Sequence, residues 1–532
     1  MRHSVGRFLT AVVLAAPACA PSDATPVRAG DYAPARFTDP DRVSKLRTAL
    51  PAIDSIFRAF AASNHVPGIA YGVIFDGQLA HQGVAGLRNL AENAPVDSAS
   101  VFRIASMTKS FTALSILKLR DEGKLALDDR AAKYVPELAG LTYPTTDSPQ
   151  LTIRHLLSHS AGFPEDNPWG DQQLNRTDDE FAAMMRGGIP FSNPPGVAYE
   201  YSNYGFAILG RIVARVSGQP YATYVREHIL LPLGMTSTTM EAAQVPADRL
   251  ARGYRWEDER WKDEPPLPDG AFGAMGGMLT SIDDLTRWVG YLLGVWPPRN
   301  DDDDGPASRA SAREMQQLWR PRPARVTRTG ADSALALSVL GYGYGLRISQ
   351  TCEFDYVVAH SGGLPGYGSQ MRWLPNYGVG IIALGNLTYT AWDGPIAGAL
   401  AALARTGGLQ PREPAPAAAL TSARDAVSRL VLSWNDQLAD SIAAMNLYLD
   451  EAKDRRQRAI AALVSEVGPC QGEGPFAVEN ALRGQWMLPC ARGRLRVAIT
   501  LAPTVPPKVQ YLSVRKAEAN ESLAQAPSCP VR

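Results

Sequence analysis

One ten-residue stretch limits what this chain can fold into more than any other feature. Gly407-Gly408-Leu409-Gln410-Pro411-Arg412-Glu413-Pro414-Ala415-Pro416 packs two glycines and three prolines into a segment without apolar periodicity. Such a segment interrupts helix and strand alike. At 532 residues the chain is too long for one ordinary core. The break therefore separates a long N-terminal unit from a short C-terminal one.

The long unit begins and ends on strand signals. An amphipathic helix is expected from about residue 41 to 62, followed by a hairpin of Gly68 to Phe75, the Asp76-Gly77 turn and Gln78 to Ala85. A second hairpin is expected near residue 375, with Ser369 to Leu374 and Gly378 to Leu384 separated by Pro375-Asn376-Tyr377. Helical segments lie between them. This order suits one antiparallel sheet built from both ends and covered by helices, with a helical subdomain in the middle.

Three short motifs carry the chemistry. Ser106-Met107-Thr108-Lys109 opens a helix that runs through Phe111, Leu114, Leu117 and Leu119 to Glu122, with Gly123 as its stop. Ser106 and Lys109 are three apart and share a face. A serine hydroxyl needs a neighbouring base, and a lysine serves once burial or a nearby cation makes it neutral. Ser106 would also stand at the positive end of the helix, where its N–H can face an oxyanion. The second motif, Tyr201-Ser202-Asn203, follows the turn Asn193-Pro194-Pro195-Gly196 and precedes a helix from about residue 205 to 217. The third, His360-Ser361-Gly362-Gly363, reads as the end of the strand Tyr356 to Ala359 turning into a glycine-rich segment.

In this order the motifs resemble the active site of serine β-lactamases (class C-like) and penicillin-binding proteins, and of the related D-alanyl-D-alanine carboxypeptidases, D-aminopeptidases and family VIII esterases. The resemblance covers roughly residues 45–405 and implies an α+β fold, an antiparallel sheet flanked by helices plus a helical subdomain, with the motifs meeting in the cleft between. It implies Ser106 as nucleophile, Lys109 and Tyr201 as the proton-handling pair, and Asn203 as the amide that holds Lys109 and the substrate's acyl side chain. The N–H groups of Ser106 and Gly363 would form the oxyanion hole, and His360 and Gly362 would border the substrate. No cofactor is implied. The family most often has Lys-Thr-Gly at the third motif. A histidine is mostly neutral at pH 7, so peptidase or esterase chemistry on D-amino-acid or small acyl substrates is favoured over β-lactam hydrolysis, with a non-catalytic binding or sensor protein as the reading from another class.

Other patterns are set aside. His155 and His159 have helical ligand spacing but no adjacent glutamate, so no metal is expected. The run Asn300 to Gly305 mimics a calcium loop, yet its twelfth position is Ser311 rather than a bidentate acid. No Gly-x-Ser-x-Gly occurs. Leu156 to Gly162 and Gly273 to Ser281 are read as structural, Ser281 and Asp284 as a helix-capping pair. Lys plus Arg (53) equals Asp plus Glu (53), and no basic tract suggests nucleic acid. The expected partner is a small-molecule or peptide substrate; the oligomeric state is open.

Residues 1–20 read as an export signal: Arg2 and Arg7, the apolar stretch Phe8 to Ala16, then small residues around Cys19. Two outcomes stay open, simple secretion to the periplasm or medium and lipidation at Cys19, the one expected route to a membrane. Residues 21–44 form a leader. Without Cys19 there remain Cys352, Cys470, Cys490 and Cys529, with Cys470–Cys490 the preferred disulfide of three connectivities. After a linker at 406–418, residues 419–532 are expected to form a small α+β accessory domain, helical over 419–466, with strands Phe476 to Leu488, Arg494 to Leu501 and Lys508 to Arg515.

Overall fold

The structure, a computed structural model, describes residues 30, 32–329, 334–471 and 474–523. The signal segment with Cys19 and the C-terminal Cys529 lie outside them. In chain order the principal elements are helix α1 (Leu50–Ser63), strands β1 (Gly68–Phe75) and β2 (Gln78–Asn89), and helices α2 (Thr108–Asp121), α3 (Asn203–Ser217) and α4 (Ile282–Gly294). Strands β3 (Ala334–Tyr342), β4 (Arg347–Thr351), β5 (Val357–Leu364), β6 (Tyr367–Leu374) and β7 (Val379–Gly385) follow, then helix α5 (Asp393–Arg405). Beyond the break come helices α6 (Ala418–Leu432) and α7 (Lys453–Val467) and strands β8 (Phe476–Asn480), β9 (Arg483–Cys490), β10 (Gly493–Leu501) and β11 (Val509–Lys516).

Strands from both ends of the long unit form one antiparallel sheet in the order β2-β1-β7-β6-β5-β4-β3, extended by short strands at its margins. Alternation along β1 builds two cores. Ile69, Tyr71, Val73 and Phe75 pack with α1 and α5, where Phe57 stacks on Tyr71 at 4.2 Å, while Ala70 and Ile74 join the core beneath α2 and α4. The fold is thus mixed helix and antiparallel sheet, as the order of signals implied. Helix α2 is buried on nearly every side. Its polar side chains are consequently satisfied inside the molecule: Ser110 Oγ donates to Met107 O at 2.8 Å and Thr112 Oγ1 to Ala274 O at 2.7 Å.

Several expectations need correction. The helix of residues 41–62 is two helices, Arg42–Arg47 and α1, because Pro51 takes the first turn of the second. The strand over 476–488 is a hairpin, β8 and β9, folded at a turn in which Asn480 Oδ1 accepts the Leu482 N–H at 3.0 Å. The motif His360 to Gly363 does not end a strand; it lies inside β5, paired along its length with β6.

The break is partly docked. Arg412 N–H donates to Asn376 O at 2.8 Å, Glu413 exchanges backbone bonds with Arg36, and Leu409 is buried in the core beside α1 and α5. The accessory unit has a separate core in which Trp486, Leu488, Val497 and Ile499 of its four-stranded sheet meet Leu420, Val427 and Ile460 of α6 and α7. Its helical region is four helices rather than one, with Asp436–Ile442 and Leu447–Asp450 between α6 and α7. Cys470 and Cys490 are disulfide-bonded, and Cys352 is also in a disulfide. Among the described residues no helix is long and apolar enough to cross a membrane.

Candidate active site

Ser106 sits in a single 3-10 turn, Ala105–Met107, that leads directly into α2. Ala105 before it has φ +49°, a left-handed conformation that costs a non-glycine residue and that clusters at functional sites. Ser106 is 6% exposed and Lys109 is fully buried. Lys109 Nζ donates to Ser106 Oγ at 3.0 Å, to Asn203 Oδ1 at 2.7 Å and to Met275 O at 2.7 Å. Burial brings its pKa down from 10.5 to about 7; Asp171 and Asp166 oppose the change and Arg347 adds to it.

Asn203 is fixed because it opens α3. Ser202 caps that helix by accepting the Gly205 N–H at 3.0 Å, and Asp166 accepts the N–H groups of Asn203 (2.6 Å) and Tyr204 (2.8 Å). Tyr201, one residue before the cap, is 7% exposed, and its ring centroid lies 5.0 Å from Lys109 Nζ. Burial holds the phenol well above its usual pKa, while a hydrogen bond with Ser106 pulls the other way. Tyr201 therefore keeps its proton across ordinary pH.

Strand β5 brings the third motif against the first. A Cβ on Gly362 would stand 2.0 Å from Ile104 O, so only glycine lets the strand approach the turn that carries Ser106. Gly363 lies next along β5, opposite Gly368, with the Tyr389 ring against it. His360 does not border open space. It is fully buried, its Nε2 is 2.8 Å from Tyr342 Oη and its Nδ1 2.7 Å from Ser361 O, and burial holds its pKa well below 6.5. The direct substrate contact expected of His360 is replaced by a supporting position behind Tyr342.

Two contributors were not recognised in the sequence. His159 packs on Tyr201 with ring centroids 4.2 Å apart, accepts the Ser202 N–H on Nδ1 at 3.1 Å and takes the Glu200 N–H on its carbonyl at 2.8 Å. It sets the path of the chain into Tyr201, a role that spacing alone could not reveal. Met275, in the short helix Gly273–Gly276, supplies a carbonyl to Lys109. Both belong to segments that read as structural.

With this geometry in hand, the β-lactamase family model matches residues 53–406. The chain belongs to the β-lactamase family. Among curated members, protein flp of Staphylococcus aureus (strain MW2) is 28% identical over 338 residues, covering 63% of this chain and 62% of that protein. Penicillin-binding protein 4* of Bacillus subtilis (strain 168) is 28% identical over 301 residues, covering 54% and 60%. The chain thus spans about six tenths of the length of these relatives. A solved structure titled as an octameric penicillin-binding protein homologue from Pyrococcus abyssi superposes with TM-score 0.55 over 85% of this chain and 96% of that one, at 23% identity. This last likeness is one of fold.

Proposed function

We propose that this protein is an exported serine hydrolase that forms an acyl-enzyme at Ser106 on an amide or ester, D-amino-acid peptides and small acyl esters being favoured. The surroundings of Lys109 Nζ carry this reading. Asn203 Oδ1 and Met275 O can only accept hydrogen bonds. A neutral amine that donates its two N–H groups to those oxygens turns its lone pair toward Ser106 Oγ, 3.0 Å away. With a pKa of about 7, a large share of Lys109 is neutral at neutral pH.

In the proposed reaction Ser106 gives its proton to Lys109 as Oγ bonds to the carbonyl carbon, and the carbonyl electron pair moves onto oxygen. The N–H groups of Ser106 and Gly363 hold that oxyanion. Tyr201, still protonated beside Ser106, donates to the leaving amine or alkoxide and regains a proton from Lys109. Water then attacks the acyl-enzyme by the reverse proton path.

Arg347 supports a carboxylate-bearing leaving group. Its charge is felt by Lys109, Tyr201 and His360, and no carboxylate lies within ion-pairing distance of it among the described residues. It lines a cavity of about 720 Å³ that borders the site at Tyr199 and Ser361 without reaching Ser106. A cation lost at position 360 is thereby supplied from β4. Export rests on the N-terminal signal pattern. The test is turnover of activated esters, thioesters, D-peptides and β-lactams by the purified protein and by Ser106→Ala. Ester or D-peptide turnover should vanish in the variant, and a wild-type protein that turns over none of them would favour the non-catalytic binding reading.

A further inference from the structure

A second cavity, of about 530 Å³, lies among α3, the short helix Gly273–Gly276 and the segment of residues 264–272. Ser106, Lys109, Tyr201 and Gly363 do not line it. Its walls combine apolar side chains, Phe181, Tyr221, Ala222 and Ala274 among them, with three arginines and three acids. Most of these charges are already matched. Arg211 and Arg215 share Glu137 at 2.8 and 2.6 Å, Arg211 also reaches Asp178 at 3.4 Å, and Arg176 meets Glu180 at 3.4 Å. Asp269 and Glu241 are left over, and among the described residues neither has a cation within ion-pairing distance.

Asp269 is held in an unusual way. Its Oδ1 is buried without a hydrogen-bond partner, against the backbone of Gly273 and Gly277, where an added Cβ would come within 2.3 Å of it. The residue as a whole stays partly exposed and lines the cavity. Its carboxyl is thus dry on one side and open to a ligand on the other. Arg103 is near enough to be felt but does not pair with it, because its guanidinium donates to Gly277 O at 3.1 Å and to Leu267 O. Burial pushes the Asp269 carboxyl up to about 7, with Arg103 opposing and Glu241 adding to the rise. A buried carboxylate without a partner is costly, and a cation that paired with it would favour the ionised form and offset that cost.

We propose that this cavity is a binding site for a small organic ammonium ion with an apolar body, its nitrogen paired with Asp269 in the field of Glu241 and its body against Tyr221, Phe181 and Ala222. The unmatched charge is negative and the walls beside it are aromatic and aliphatic, which selects an organic cation. Among the described residues no three His, Cys, Asp or Glu side chains gather as a metal ion would require. The wall is also preformed, since Thr112 of α2 lies 2.7 Å from both the Tyr221 hydroxyl and Ala274 O. This site stands independently of the acyl-transfer reading.

The experiment is isothermal titration of the full chain carrying Ser106→Ala, which keeps turnover out of the comparison, with benzylammonium and with benzyl alcohol as probes. Benzylammonium should bind at one equivalent, and the alcohol at least tenfold more weakly. Asp269→Asn keeps the size of the side chain and should reduce amine affinity by about 10- to 100-fold, the range for a hydrogen bond to a charged group. Glu241→Gln changes an exposed side chain and should reduce it by about two- to fivefold, as for an exposed charge pair. No binding of the amine, equal binding of amine and alcohol, or amine affinity unchanged in Asp269→Asn would overturn the proposal. The alcohol comparison and Glu241→Gln decide the matter even if Asp269→Asn does not fold.

Discussion

Placing a carboxylate beside Lys109 should move the pH dependence of acylation. With Lys109 at about 7, roughly 1% is neutral at about pH 5, so acylation there should run about 100-fold below its plateau and rise tenfold per pH unit until about pH 7. The sign follows from the role: the base works when neutral, so activity is gained as pH rises through its pKa. In Asn203→Asp the new charge would sit where Oδ1 now lies, 2.7 Å from Nζ. An opposite charge that close raises a lysine pKa by about 1 to 3 units, and the rising limb should shift to higher pH by that amount. The assay is single-turnover acylation by an activated ester from about pH 5 to about pH 9.5, with melting temperature recorded for each protein. A rising limb that stays at the wild-type position in a folded Asn203→Asp protein would refute Lys109 as the titrating base.

Further outcomes follow from the same geometry. Lys109→Ala and Tyr201→Phe should each slow acylation by about 10²- to 10⁴-fold, and the double variant little more, since members of one proton-transfer unit fail together; near-normal acylation in Tyr201→Phe would reduce that residue to packing. Gly362→Ala places a methyl group 2.0 Å from Ile104 O, so β5 must retreat from the nucleophile turn, seen as lost acylation together with a lower melting temperature. Arg347→Ala should reduce kcat/KM for D-peptides ending in a free carboxylate by at least tenfold more than for their methyl esters; equal losses would remove Arg347 from recognition. Replacing Cys470 and Cys490, 20 residues apart, by serine should destabilise the accessory unit by about 3 kcal/mol, read as an early transition in thermal unfolding.

The parts of the molecule legible in the sequence are those set by local chemistry. Asp76-Gly77 marked the first hairpin because the chain there has φ +51° and +82°, and Gly123 marked the end of α2 at φ +71°. Ser106 and Lys109 were readable because one helical turn fixes their relation. What escaped depends on distant segments. Nothing near His159 announces that its ring will lie on Tyr201, because that contact is made by the return of residues 199–202 along it. His360 looked like a substrate contact because the motif places it, but only the fold, through Tyr342, sends its ring inward.

The central claim is that Ser106, activated by Lys109, forms the covalent acyl-enzyme. Its most direct test is reaction of the purified protein with a fluorophosphonate probe and a slowly hydrolysed acylating ester, followed by peptide mass mapping. The account predicts one modified residue, Ser106, with labelling strongly slowed in Lys109→Ala. Modification of any other serine, or labelling of Ser106 at an unchanged rate without Lys109, would contradict it.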